Sequence, residues 1–237
     1  MKIATVFFLV FVTFSGYINS QSIKIGTQTW TTKNLDVATF RNGDGIPQAK
    51  TDEEWETAGE NKQPAWCYYE NNAANGTKYG KLYNWYAVND ARGIAPAGYH
   101  IPTDEEWTVL STFLGGEDVA GKKMKSSSGW MDYGCTKCNG GSTEFKKICS
   151  ACKGTQSNSS EPFSGNGNNS SGFSGLPGAY RSFTGYFYPV GLGGDWWSAS
   201  EFNVSDAWGW PLGSSFSNLG RVHSDKNFGL SVRCVRD

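Results

Sequence analysis

Histidine is almost missing from this chain, with two in 237 residues, and methionine is nearly as scarce with three. With only His100 and His223 available, a cluster of imidazoles for metal or proton chemistry is excluded. Charge is sparse too: charged residues make up 18% of the chain, and 22 acids against 21 bases leave a net charge of −1. Such balance gives no reason to expect nucleic acid or an anionic membrane as partner. No glycine-rich loop runs into Lys and Ser or Thr to cradle phosphate, and no dinucleotide fingerprint occurs. Beyond the first residues no apolar run is long enough to span a bilayer, so no integral membrane segment is expected.

What the chain does have begins at its start. Met1-Lys2-Ile3 leads into an apolar run through Phe7, Phe8, Leu9, Val10, Phe11, Val12 and Phe14. A basic start and a short apolar stretch fit a secretory signal over residues 1–20, cut between Ser20 and Gln21, in preference to a buried N-terminal helix. No cysteine stands near residue 20 to carry a lipid. The mature part, 21–237, is read as a single domain of net charge −2 once Lys2 is gone, secreted or at the cell surface, with the periplasm as the other destination.

Aromatics are abundant, with 10 Trp, 11 Tyr and 14 Phe beside 30 Gly. Rings can build a core in place of aliphatic runs, with glycines where turns are tight. Ile23 to Trp30 alternates around Gly26 and predicts a hairpin. Thr51-Asp52-Glu53-Glu54-Trp55 and Thr103-Asp104-Glu105-Glu106-Trp107 each read as a helix start, the second with a capping box and with Trp107, Leu110 and Leu114 on one face. That helix should end near Gly115-Gly116. Ala65 to Tyr69 reads as a short strand, and Tyr79 to Val88 as an aromatic-faced helix. Residues 154–179 read as a long surface loop pinned by Phe173, Leu176 and Pro177. Phe228 to Arg236 gives the clearest strand, with Leu230, Val232 and Cys234 on one face.

Cys135-Thr136-Lys137-Cys138 is followed by Cys149-Ser150-Ala151-Cys152. Two such pairs present four sulfurs with the spacing of a structural zinc site, expected here within an insertion around 135–152. Two disulfides are the competing reading, since exported proteins meet an oxidising compartment. A thiol oxidoreductase lacks the strand-helix context around either pair. Cys67 and Cys234 lie in strand-like segments and either form a disulfide or stay as buried thiols. His100, just before a helix cap, reads as structural. His223, Ser224 and Asp225 are adjacent and do not converge as a triad. Asp104, Glu105 and Glu106 cap a helix, and Asp195, Glu201 and Asp206 lack calcium-loop spacing.

Residues 65–69, 79–88, Gly98 to Trp107 and Ser231 to Asp237 together resemble the Fibrobacter succinogenes major paralogous domain, a family of exported bacterial domains, over nearly all of the mature chain. That family is in turn distantly similar to the C-type-lectin-like fold of formylglycine-generating enzymes. The resemblance implies an α+β, C-type-lectin-like fold: a small antiparallel sheet, two helices at 79–88 and 103–114, and long loops. In the enzyme branch a pair of reactive cysteines near the C-terminus handles copper and thiol substrate. Here Cys234 alone matches the terminal motif, with no cysteine between it and Cys152, which argues against enzymatic activity. The expectation is a recognition module for polysaccharide or a surface protein, with a protein-modifying oxidoreductase and a purely structural extracellular module as alternatives. Trp196, Trp197, Trp208 and Trp210 are the candidate contact residues, with aromatic core as their competing assignment.

Overall fold

The computed structural model describes residues 21–131 and 165–237. Strands β1 (Ser22–Ile25) and β2 (Gln28–Thr31) form the expected hairpin, with Ile23 opposite Trp30. Gly26 makes the turn at φ 62°, where a Cβ would stand 2.9 Å from the Phe113 ring. Backbone and neighbour both require glycine there.

Helix α1 (Asp52–Glu60) starts where its cap predicts. The Thr51 hydroxyl accepts from the Glu54 amide while the Glu54 carboxylate accepts from the Thr51 amide. Two otherwise orphaned donors are satisfied by one short sequence. Trp55 is buried beneath this helix, and its indole N–H donates to the Asn227 carbonyl at 3.0 Å.

Strand β3 (Trp66–Cys67) confirms the short strand, but the segment after it departs from expectation. Residues 79–88 do not form one helix. They divide into the end of a single-turn helix α2 (Gly76–Tyr79), strand β4 (Leu82–Tyr83) and a short helix α3 (Trp85–Val88). Gly80 is the physical reason: it sits at φ 73°, and a Cβ there would come within 2.8 Å of the Leu35 carbonyl oxygen. A left-handed residue pressed on another backbone stops a helix. Leu82 and Tyr83 then pair with Cys67 and Trp66, and the Asn84 side chain caps α3 through the Ala87 amide.

Strand β5 (Tyr99–His100) precedes helix α4 (Asp104–Phe113), whose Thr103/Glu106 capping box forms as expected. Trp107 and Leu110 are buried on its inner face with Leu114 beyond its end. The helix stops at Gly115 and Gly116, both at positive φ, and helix α5 (Glu117–Met124) follows at once. Gly121 of α5 lies so close to the chain at 218 that a Cβ would overlap the Asn218 carbonyl.

The larger sheet region comes last. Strands β6 (Gly193–Glu201), β7 (Asp206–Gly213) and β8 (Val222–Asp225) make an antiparallel sheet in that order. Strand β9 (Val235–Arg236) enters between β2 and β5, giving the order β1-β2-β9-β5. The architecture is therefore mixed α and β, with small antiparallel sheets and few helices.

The segment leading to β9 is not the one-faced strand its alternation suggests. Only Val235 and Arg236 pair as a strand, and Leu230 through Val235 are buried without exception. The segment threads between two aromatic cores. Leu230, Val232 and Cys234 face one, with Tyr83, Trp85 and Trp197; Val235 faces the other, with Trp30, Trp107, Phe173, Trp196 and Trp210. Arg233 is also buried, and among the described residues no carboxylate meets it. Its guanidinium donates to Asn34 Oδ1 at 2.7 Å and to the carbonyls of Thr31, Phe173 and Ser174 at 2.7, 2.9 and 3.1 Å. The fork satisfies chain segments that share no secondary structure. Phe173 pins its loop as expected, fully buried beside Trp30 and Trp107.

Candidate functional site

Three of the four candidate tryptophans belong to the core. Trp196, Trp197 and Trp210 have no exposed surface, so none can stack on a ligand. Each indole N–H is also engaged: Trp196 with Asn34 Oδ1 at 2.9 Å, Trp197 with the Tyr83 carbonyl at 2.8 Å, Trp210 with Asp104 Oδ1 at 3.1 Å. Buried indoles need such partners, and here they lie far away in sequence. Trp208 alone keeps part of its surface open, with the Arg221 guanidinium 3.6 Å above its ring and Phe202 packed edge-on at 4.9 Å.

Cys67 and Cys234 are free thiols in different core clusters, so the disulfide considered for them is not present. Burial pushes both thiols up to about 12, the state of inert structural cysteines. Cys135, Cys138, Cys149 and Cys152 lie outside the described residues. His100 bridges Glu106 and Asp237 at 2.7 and 2.8 Å, which matches a structural part. Glu201 pairs with Lys226, Asp206 accepts from Asn203, and Asp195 stands apart from both.

Asp195 is where the structure opens. In β6 it faces the same way as Gly193, and in β7 its register partner is Pro211 with Gly213 two residues on. Glycines at 193, 213 and 220 leave that side without bulk. Phe216 packs against Gly213, and the Pro211 ring would lie 2.8 Å from a Cβ on Gly220. The result is a cleft of about 360 Å³ walled by Tyr180, Tyr188, Leu192, Pro211 and Phe216, with Asp195 in its lining. Ala179, also in the lining, holds a left-handed conformation at φ 58°, an arrangement that costs on the order of 1 kcal/mol and clusters at functional sites.

The Asp195 carboxylate makes no hydrogen bond or ion pair among the described residues. It is crowded by protein yet keeps a partial opening to solvent through the cleft. Desolvation pushes its carboxyl up to about 7, within reach of ordinary conditions. The Tyr180 phenol is raised by burial, by its hydrogen bond with Tyr188 and by the charge of Asp195.

Outside the cleft the aromatic wall continues. Tyr188 stacks on Tyr180 at 4.1 Å, Tyr180 on Phe228 at 5.7 Å, and Phe228 on Phe183 at 6.1 Å, all within 22° of parallel. Tyr186 packs edge-on against Tyr188. Phe183, Tyr186, Tyr188 and Phe216 are each about half exposed or more, at 51, 61, 45 and 62%, where an ordinary surface scatters its large rings singly.

The sequence model of the Fibrobacter succinogenes major domain matches residues 23–236. The chain belongs to this family. No curated protein and no solved structure matches it. In this Fibrobacter succinogenes major domain three of these open rings come from the loop before β6 and Phe216 from the loop after β7, rather than from the Trp-rich strands themselves. A signal for them stands in the sequence: five rings fall between Tyr180 and Tyr188, around the turn at Gly185. That density is too great for one loop to bury.

Proposed function

We propose that the protein is an exported recognition module that binds polysaccharide along the aromatic row and in the cleft at its end. The observation that carries this reading is the stacked series Tyr188, Tyr180, Phe228, Phe183, partly exposed and ending at the unpaired Asp195. Sugar rings offer apolar C–H faces to aromatic faces and hydroxyls to a carboxylate, so a row of rings with one polar group suits an extended glycan. A glycan array followed by pull-down with wild type, Tyr188→Ala and Phe183→Ala tests it. Retention that neither substitution changes rejects the role of the row.

A surface protein as partner is favoured by a different region, the opposite end of β6 and β7. There Phe202, Val204 and Val222 are exposed beside Trp208. Loss of a captured surface protein on Trp208→Ala, with glycan binding intact, would favour that reading. The protein-modifying oxidoreductase gains no support from Cys67 and Cys234, whose thiols are buried and raised.

Export rests on the signal-like residues 1–20, and intact-mass measurement of the secreted chain tests the cut before Gln21. Among the described residues no helix is long and apolar enough to cross a membrane. Structural zinc at Cys135, Cys138, Cys149 and Cys152 rests on their spacing. Purified protein without zinc, its four cysteines resistant to alkylation, would refute it. The C-type-lectin-like fold is part of the same proposal, supported by small antiparallel sheets joined by long loops, and an experimental structure superposed on that fold decides it.

A further inference from the structure

Enclosed charges elsewhere among the described residues are matched. Arg181 reaches Asp52, Lys81 reaches Asp36, Lys226 reaches Glu201, and Asp104 takes Arg221 and the Trp210 indole. Arg233 and Lys125, which meet no acid among the described residues, donate instead to carbonyls and, for Arg233, to the Asn34 side-chain oxygen. Asp195 breaks this pattern. It is enclosed, acidic and without a partner among the described residues, in a cleft whose other walls are rings, aliphatic side chains, glycines and Asn218. A lone carboxylate there is costly unless it holds a proton or something brings it a positive charge.

We propose that the cleft selects sugar units bearing a free amine, with Asp195 as the counter-ion of the ammonium and Tyr180, Tyr188 and Phe216 enclosing it. This rests on the polysaccharide reading above and narrows it. Three features favour an amine over a neutral or acidic sugar. A hydroxyl donates a hydrogen bond but leaves the carboxylate charge standing, whereas an ammonium cancels it at the same position. A uronic acid would set like charge against Asp195, with no base among the described lining residues to answer it. Ring faces attract a cation through their quadrupole, so the aromatic walls that suit a pyranose also suit an ammonium.

The surroundings of Asp195 leave this partner's place open. From the loop before β6 the facing titratable groups are the phenols of Tyr180 and Tyr188. From β7 and the chain after it come Pro211, Leu212, Gly213, Phe216, Asn218 and Gly220, none of them charged. Among the described residues Lys125, just past the end of α5, is a cation that approaches this region, and its ammonium donates to the Gly213 and Phe216 carbonyls at 3.0 and 2.7 Å. The raised carboxyl of Asp195 agrees with a site built to meet a positive charge, because an ammonium would draw it back toward ionisation.

The test is calorimetric titration of the full mature chain at pH 7 with three tetrasaccharides: fully de-N-acetylated chitotetraose, its N-acetylated counterpart and cellotetraose. The expected result is about ten-fold tighter binding of the amine form than of either neutral form, the scale of one compensated charge pair. Asp195→Asn should erase that preference, so that the amine form binds no more tightly than its N-acetylated counterpart or cellotetraose. The Asn variant keeps the shape and removes an uncompensated charge, and a thermal midpoint at or above that of wild type verifies its fold. Tyr188→Ala should weaken all three ligands together. Equal binding of the three sugars by wild type and Asp195→Asn would overturn the amine selection and leave the polysaccharide reading standing. Absence of binding by all three, with a silent glycan array, would remove both. Tetralysine binding as tightly as the amino sugar, and equally lost in Asp195→Asn, would overturn the assignment to sugars.

Discussion

Replacing Arg233 by Met should lower stability by about 3 kcal/mol while keeping the length and apolar stem of the side chain. The structure supplies the arithmetic. Of the four acceptors that the guanidinium satisfies, Asn34 Oδ1 retains the Trp196 indole as donor. The carbonyls of Thr31, Phe173 and Ser174 lose the hydrogen bonds that Arg233 provides. Each buried acceptor left alone costs about 1–3 kcal/mol, and relief from burying the guanidinium offsets part of the total, so a figure near the lower end results. For a domain of this size that corresponds to a melting temperature lower by roughly 6–12 °C. Arg233→Lys separates geometry from charge. An ammonium keeps the charge but gathers its donors on one nitrogen and is more strongly hydrated, so it should be at least as destabilising as Met. Urea unfolding followed by tryptophan fluorescence and circular dichroism measures all three proteins. A Lys variant within about 0.5 kcal/mol of wild type, or a Met variant within about 1 kcal/mol, would refute the claim that this fork joins the segments.

Asp195 gives a pH signature. Its carboxyl, raised to about 7 from an unfolded value near 4, holds its proton longer in the folded chain, so wild type should lose stability relative to Asp195→Asn as pH rises from about 4 to 7. Parallel melting curves across that range would disprove the assignment. For His100, burial pulls the imidazole down, but its hydrogen bonds to Asp237 and Glu106 outweigh this and raise it. Its contribution should be full below about pH 6.5 and fade as pH climbs through the raised value, a slope that His100→Gln abolishes in the same melts. Cys67 and Cys234, pushed up to about 12, should resist iodoacetamide at pH 8 until guanidinium is added, as peptide mass mapping will show; rapid native labelling of either contradicts their burial. Gly121→Ala should destabilise by at least about 2 kcal/mol despite the better helix propensity of alanine, because its methyl overlaps the Asn218 carbonyl; a neutral or stabilising result in thermal melts would contradict that close approach.

Capping boxes and the first hairpin were legible because their chemistry is local. Thr51 with Glu54, Thr103 with Glu106 and the alternation from Ile23 to Trp30 act over a few residues, and each element begins where those residues place it. The segment 79–88 misled because aromatic density is not periodicity. What breaks it is the approach of Gly80 to Leu35, a contact no window contains. Trp196, Trp197 and Trp210 were ambiguous for the same reason. Their partners at Asn34, Tyr83 and Asp104 lie more than 100 residues away, and without them an indole in a strand fits either a surface or a core. Asp195 was visible only as one acid among several. Its isolation follows from which glycines and rings surround it, and that is settled by the register of β6 against β7 and by the loop from 216 to 220.

The buried run from Leu230 to Val235 has a consequence for the order in which this molecule comes into being. A ribosome delivers that stretch after every other part of the core it divides, and its contacts reach back to Thr31, 203 residues before Cys234, and to Trp30, which pairs with Val235. Until it arrives, the rings on either side have no wall to close against, and Thr31, Phe173 and Ser174 wait for the donors of Arg233. Closure of both cores therefore waits until this stretch has been made. A chain cut before this stretch would be less a shortened protein than an unlatched one.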